Sequence, residues 1–308
     1  SYPFRRLKHK TQVFFAPKND HICTRIEHVM HVASIASTIC RALKLDADLA
    51  WAIGLGHDLG HTPFGHLGEE ILSEITSVSG GFSHELYSLR VIDFLANHGK
   101  GLNLTYAVRD GIINHCGEQF EQSILPDFEE KDLSSIHKRD RYPSTWEGCA
   151  VRMSDKIAYL GRDLEDALHL RLVKPEMVPE SVVRVLGKNN SEIINTLVLD
   201  LIENSGKTGS IGFSDRVFAP LLSLKDFNYR YIYRSPVLFT YHGNFERILK
   251  TLHTYLSDLF VSCGEDFLKY RTEKNFVAAR FGDYLKKMRS FYVEVDGGYI
   301  RAVTDYLA

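Results

Sequence analysis

The sequence predicts an all-α protein, with a helical core that carries a polar cluster and an additional C-terminal helical region. Three observations predict it. Apolar residues recur at spacings of three and four over most of the chain, the period of a helix face. Turn residues fall between those runs rather than within them. Only short stretches carry the alternation of a strand.

In chain order, Ile22, Ile26, Val29, Ala33, Ala36, Cys40 and Leu43 mark one face of a first helix. Asp46 caps a second, which runs through Leu49, Ala50, Trp51 and Ile53 toward His57-Asp58. Gly60 and Pro63 break it, leaving a loop that holds His61-Thr62-Pro63-Phe64-Gly65-His66. Helical patterns follow at about 67–77, 84–97, 105–116, 145–169, 178–187 and 190–204. Ser205-Gly206-Lys207-Thr208-Gly209-Ser210 reads as a flexible loop; it lacks the first glycine and the following helix of a phosphate-binding Walker A loop. Phe245, Ile248, Leu249, Leu252, Leu256 and Leu259 form an apolar stripe that opens a helical region over about 243–308. Phe291-Tyr292-Val293-Glu294-Val295, before Gly297-Gly298, reads as a short strand. The expected organisation is a core over 1–170 and a C-terminal helical region over 171–308 packing on it.

Composition narrows the class. With 308 residues, 44% of them apolar and 25% charged, the chain is too rich in core-forming residues to be fibrous or disordered. A net charge of −2 removes the case for a globally basic nucleic-acid binder. Cys23, Cys40, Cys116, Cys149 and Cys263 are scattered without a Cys-x-x-Cys pair, which fits a reducing compartment, and a cytoplasmic location is expected. No apolar run approaches the roughly 18 to 20 residues that span a bilayer, so no membrane partner is expected. No signal peptide opens the chain, and its first residue is not Met.

The histidines, 14 in all, carry the chemistry. A His-Asp dipeptide alone says little, but His57-Asp58 has company. His28 follows Arg25 by one helical turn, so the two share a face, and Arg25 could grip an anion bidentately. Asp155-Lys156 lies on a third helix; Tyr159 shares the Asp155 face, whereas Lys156 points elsewhere. Two imidazoles and two carboxylates suit one divalent ion, best a borderline one, with Mn²⁺, Mg²⁺, Fe²⁺, Co²⁺, Ni²⁺ and Zn²⁺ not distinguished by this set. Such an ion polarises phosphoryl oxygens and lowers the pKa of water.

These motifs resemble the HD-domain phosphohydrolases, and more closely their deoxynucleoside-triphosphate triphosphohydrolase branch, the dGTPase-like proteins. The matching stretches are Phe4-Arg5-Arg6-Leu7-Lys8-His9-Lys10-Thr11-Gln12-Val13-Phe14, Thr24-Arg25-Ile26-Glu27-His28, and His57 through Glu69. Phe82-Ser83-His84-Glu85 and Asp155-Lys156-Ile157-Ala158-Tyr159 follow, then Asp163 and Glu165-Asp166-Ala167. The resemblance implies metal ligands His28, His57, Asp58 and Asp155. It implies catalytic His66, nine residues after His57, oriented by Glu69 three residues further on.

As substrate contacts it implies Arg25, His61, His84 and Lys156 for the phosphates, and Gln12, Tyr159, Asp163 and Tyr233 for sugar and base. The activity implied is metal-dependent hydrolysis of a dGTP-like deoxynucleoside triphosphate to deoxynucleoside and inorganic triphosphate, with an additional Mg²⁺ arriving on the nucleotide. It also implies homo-oligomers and further residues beyond both ends of this chain. The alternatives are another HD phosphohydrolase, acting on nucleoside 5′-monophosphates or cyclic nucleotides, and a nucleotide-sensing or nucleic-acid-binding HD protein.

Plainer roles compete at several positions. His9, His21, His98, His137, His169, His242 and His253 read as structural histidines, and His31 as a neighbour of the ligands at most. His115 reads equally as a phosphate-pocket neighbour or a helix-end cap. Tyr229-Arg230-Tyr231-Ile232-Tyr233 could stack on a base or pack onto the core. Lys269, Arg271, Lys274, Arg280, Lys286, Lys287 and Arg289 could meet a nucleotide effector or single-stranded DNA, or form a solvated face.

Overall fold

The computed structural model describes residues 1–14, 21–117, 119–136 and 140–308; His137 lies outside them. The described chain is all-α apart from two short strands, β1 (Ser123–Ile124) and β2 (Ile211–Gly212), paired antiparallel. The main helices are α1 (Arg25–Ala42), α2 (Ala47–Gly56), α3 (Gly65–Ile75), α4 (His84–Arg90), α5 (Tyr106–Ile113) and α6 (Trp146–His169). They continue with α7 (Glu180–Val185), α8 (Asn190–Thr208), α9 (Asp215–Asn228), α10 (His242–Cys263), α11 (Phe276–Glu294) and α12 (Ala302–Leu307).

Helix α1 packs against α2 and α6, and α5 closes on α2, α4 and α6. Val29, Val32, Ala36, Ile39, Ile53, Ile112, Ala150, Met153 and Ile157 bury the apolar faces of these helices in one core, which continues through Leu197, Leu221 and Ile232. A second core gathers Leu256, Tyr270, Phe281, Leu285, Phe291, Tyr292 and Val303 from the C-terminal helices. Among the described residues, no helix is long and apolar enough to cross a membrane.

Three local expectations change. The stretch 205–210 is not a loop: α8 runs on to Thr208, helped by the Lys207–Glu203 pair at i,i+4, and ends at Gly209, whose φ of 70° is the usual left-handed helix terminus. Residues 291–295 are not a strand. Phe281, Leu285, Met288, Phe291 and Tyr292 bury one helical stripe, and that packing overrides the β preference of the aromatic and Val residues. The pattern over 84–97 is regular only to Arg90. A wide turn follows through Leu95, after which Asn97 and His98 turn left-handed at φ 54° and 57° and the chain doubles back, Leu102 N–H donating to Ile92 O at 2.7 Å.

Candidate metal centre

Four side chains from three helices meet beneath the core surface. The first turn of α1 is fixed by a capping box in which Thr24 N–H donates to Glu27 Oε2 at 2.7 Å. That turn aims Arg25 and His28 inward, and both are buried. Helix α2 reaches α1 because Gly54 leaves no room for a side chain; a Cβ there would stand 2.7 Å from Ala33 Cα. The end of α2 thereby delivers His57 and Asp58 beside His28, and α6 supplies Asp155 from the opposite wall.

The donor atoms converge. His28 Nε2 lies 3.0 Å from Asp155 Oδ1, and His57 Nε2 lies 3.8 Å from Asp58 Oδ2 and 3.9 Å from Asp155 Oδ1. His57 Nδ1 donates to Gly54 O at 2.7 Å, so in the neutral ring the lone pair sits on Nε2. That Nε2 is buried and has no hydrogen-bond partner, as a ligand atom awaiting a cation would be. Burial lowers the pKa of His57, keeping it neutral. Burial disfavours the Asp155 carboxylate, but its His28 contact holds its pKa down to about 2. Burial also works against ionised Asp58, and the adjoining Arg25 guanidinium outweighs it, keeping that pKa well below the usual range. A neutral His57 with ionised Asp58 and Asp155 is in the protonation state that binds a divalent ion, so this set, with His28 against Asp155, fits one.

A second cluster adjoins the first. His61, His66, Glu69 and His84 bring donor atoms within 4.8 Å of one another. Glu69 is their hub: it accepts from His84 Nδ1 at 2.9 Å and from His84 N–H at 3.0 Å, with His66 Nδ1 at 3.4 Å. Burial opposes the His84 charge, yet Glu85 and Glu69 raise its pKa well above the usual value, making it an imidazolium at neutral pH. His61 stacks on His84 at 4.6 Å and is held neutral by burial and by Arg25; both of its ring nitrogens lack a hydrogen-bond partner. His66 alone faces solvent, its side chain 71% exposed. It stands on the first turn of α3 rather than in the loop, because the chain turns at Phe64, a non-glycine residue at φ 68°. The Phe64 ring stacks on Phe245 of α10 at 4.0 Å.

The expected phosphate cations are already engaged. Arg25 meets Asp58 and also donates to Thr11 O at 3.3 Å and Gln12 O at 3.2 Å, so its fork ties the N-terminal segment to the centre. Lys156 pairs with Glu121, which also binds Arg152. Two turns beyond Asp155 on α6, Asp163 Oδ2 accepts from Tyr233 O–H at 2.7 Å, and burial pushes the Asp163 pKa up to about 7. Tyr159 lies half-buried on the same helix, and the buried Oε1 of Gln12 lacks a hydrogen-bond partner. The Arg280 guanidinium covers its neighbour Phe276, and Arg271 and Arg289 pair with Asp283 and Glu265.

Sequence reasoning missed two participants and left a third, His115, open: its Nδ1 donates to Ile112 O at 2.6 Å, as a cap on α5 does, while its ring lies 4.8 Å from His57. Burial lowers its pKa to about 4, leaving a neutral ring beside His57 and Asp58. Glu121 and Lys10 gave no local signal, because their partners are far away in sequence; Lys10 Nζ donates to the carbonyl oxygens of His61 and Ala308.

Comparison with known proteins agrees with this geometry. Residues 25–159 match the HD domain family, the span from Arg25 to Tyr159 that contains both clusters. A deoxyguanosinetriphosphate triphosphohydrolase-like protein of Caldanaerobacter subterraneus subsp. tengcongensis is 39% identical over 291 residues, covering 92% of this chain and 79% of the relative. Another, of Desulfatibacillum aliphaticivorans, is 41% identical over 284 residues, covering 91% and 75%. An all-α fold with a caged imidazole–carboxylate set defines an HD-domain hydrolase, a metal-dependent phosphohydrolase. Within that class, the chain belongs to the deoxyguanosinetriphosphate triphosphohydrolase-like family.

Proposed function

We propose that this chain hydrolyses dGTP-like deoxynucleoside triphosphates to the deoxynucleoside and inorganic triphosphate. The observation that carries the reading is the pair of adjoining clusters, one fit for a divalent cation and the other presenting a buried imidazolium beside an exposed imidazole. The relatives, deoxyguanosinetriphosphate triphosphohydrolase-like proteins by name, support a guanine deoxynucleotide.

In this reading His28, His57, Asp58 and Asp155 hold one divalent ion, which when bound polarises a phosphoryl oxygen and makes water a better nucleophile at neutral pH. His84, charged, and His61, neutral, donate to phosphate oxygens. Arg25 and Lys156 add positive charge, Lys156 by exchanging Glu121 for a phosphate. Water attacks the α-phosphorus in line, the bond to the sugar 5′-oxygen breaks, and His66 gives that oxygen its proton while Glu69 orients the ring. Gln12, Tyr159, Asp163 and Tyr233 bind the sugar and base.

Incubation of the protein with dGTP and Mn²⁺ or Mg²⁺, with products separated by anion exchange, tests the reading. Deoxyguanosine with intact triphosphate is the expected result; dGMP with pyrophosphate, or no turnover, overturns it.

A further inference from the structure

Helix α4 faces the candidate centre on one side and the C-terminal helices on the other. On the inner side, Ser88 Oγ donates to His57 O at 2.7 Å and accepts from Gly60 N–H at 2.9 Å, bracing both ends of the turn that carries His57 and Asp58. The turn lies directly on the α4 backbone: a Cβ at Gly60 would stand 2.1 Å from Ser88 N and 2.3 Å from the Tyr87 carbonyl carbon. On the outer side, Asp305 of α12 accepts from Tyr87 O–H at 2.5 Å, from Arg90 at 2.7 and 2.8 Å, and from Tyr292 O–H at 2.9 Å. Arg90 is held a second time by Asp296, at 2.9 and 3.0 Å. The carboxylate of Asp305 and the guanidinium of Arg90 are both buried. Lys10 forms a second strut, bridging the carbonyls of Ala308 and His61.

We propose that Asp305 is a positioning residue for the metal centre. Through Tyr87 and Arg90 it fixes α4, and α4, through Ser88, fixes the His57–Gly60 turn. Among the described residues, Asp305, Tyr87 and Arg90 make no hydrogen bond to the side chain of a proposed ligand or substrate contact; their effect arrives through α4, by way of Ser88 and the backbone of the His57–Gly60 turn. A helix of two turns is stiff over this distance, and a buried carboxylate that receives several hydrogen bonds has one low-energy place to sit. The C-terminal helices therefore help set how tightly the turn presents His57 and Asp58. This inference rests on the set around His57 being a metal site and not on the identity of the substrate.

The test uses the full chain with Tyr87→Phe, which deletes one hydroxyl, and Asp305→Asn, which keeps shape and removes charge. Amide hydrogen exchange of the segment 57–61 is read in the absence of metal, and Mn²⁺ affinity by the electron-spin-resonance signal of free Mn²⁺. Both variants are expected to exchange this segment faster, and Mn²⁺ affinity is expected to fall roughly threefold to tenfold in Asp305→Asn, less in Tyr87→Phe. Combining Asp305→Asn with Ser88→Ala should weaken Mn²⁺ binding no further than the worse single change, because both act on one path. If exchange quickens only around 84–95 and 296–308, with 57–61 and Mn²⁺ affinity as in the wild type, the clamp is merely structural and the proposal falls. Should Asp305→Asn fail to fold, the Tyr87→Phe result decides alone. The exchange readout needs no substrate, so a failure of the assigned activity leaves this outcome readable.

Discussion

The set around His57 and the set around Glu69 adjoin each other, yet they hold charge by different means. The first is drawn from three helices, and its carboxylates are kept ionised by Arg25 and His28 despite burial. The second is organised by one acid, Glu69, shared between the buried ring of His84 and the exposed ring of His66. A ligand set needs fixed distances and fixed protonation, which helix packing supplies. The proton donor proposed here, His66, needs access to solvent, which its place on the first turn of α3 supplies.

Three substitutions would break or sharpen this contrast, in falling order of effect. Asp58→Ala should weaken metal affinity by roughly a hundredfold or more. It should also destabilise the fold by about 3–5 kcal/mol, since the Arg25 guanidinium stays buried without its carboxylate. Metal analysis and urea unfolding check both; full metal content in the variant would remove Asp58 from the ligand set. His66→Ala should lower kcat by roughly 10²–10⁴-fold while leaving metal content and the thermal midpoint near those of wild type. Loss of metal in that variant would merge the two clusters into one.

The third concerns Asp163, the carboxyl beside Tyr233. Its folded pKa, about 7, lies above the ordinary value of 3.8, so folding favours the protonated form. The resulting stabilisation is complete below about pH 4 and is lost as pH rises through 7. Asp163→Asn keeps an acceptor for Tyr233 and cannot ionise. It should therefore be more stable than wild type at pH 8, by an amount on the order of a few kcal/mol, with the gap closing toward pH 4. Thermal unfolding at both pH values checks it; an equal gap at each would mean the burial cost is not one of charge.

The helical period and caps made most of the fold legible, since each depends on residues a few positions apart. Thr24 with Glu27, and Asp46 with the two amides it caps, are signals of that kind. At the candidate site, a spacing of three announced the shared faces of Arg25 with His28 and of His66 with Glu69; the ligand set and the roles of His66 and Glu69 came from the resemblance to the HD-domain proteins. What escaped depends on long-range closure. Glu121 meets Lys156 across 35 residues, and Lys10 meets His61 across 51, so no local pattern announces either pair. The same limit explains residues 291–294, which are helical despite β-favouring side chains because the second core claims one face of α11.

Phe64 ties two remote segments to a common fate. A phenylalanine in the left-handed region is an uncomfortable conformer that persists only while its surroundings insist on it, and those surroundings include the ring of Phe245, 181 positions downstream, as well as the Gly68 N–H bonded to the Phe64 carbonyl. Loss of that ring would remove a stacking partner from the residue at which the chain turns into α3. A residue on an outlying helix, with no polar chemistry of its own, thus packs two positions upstream of His66, on the turn that leads into its helix.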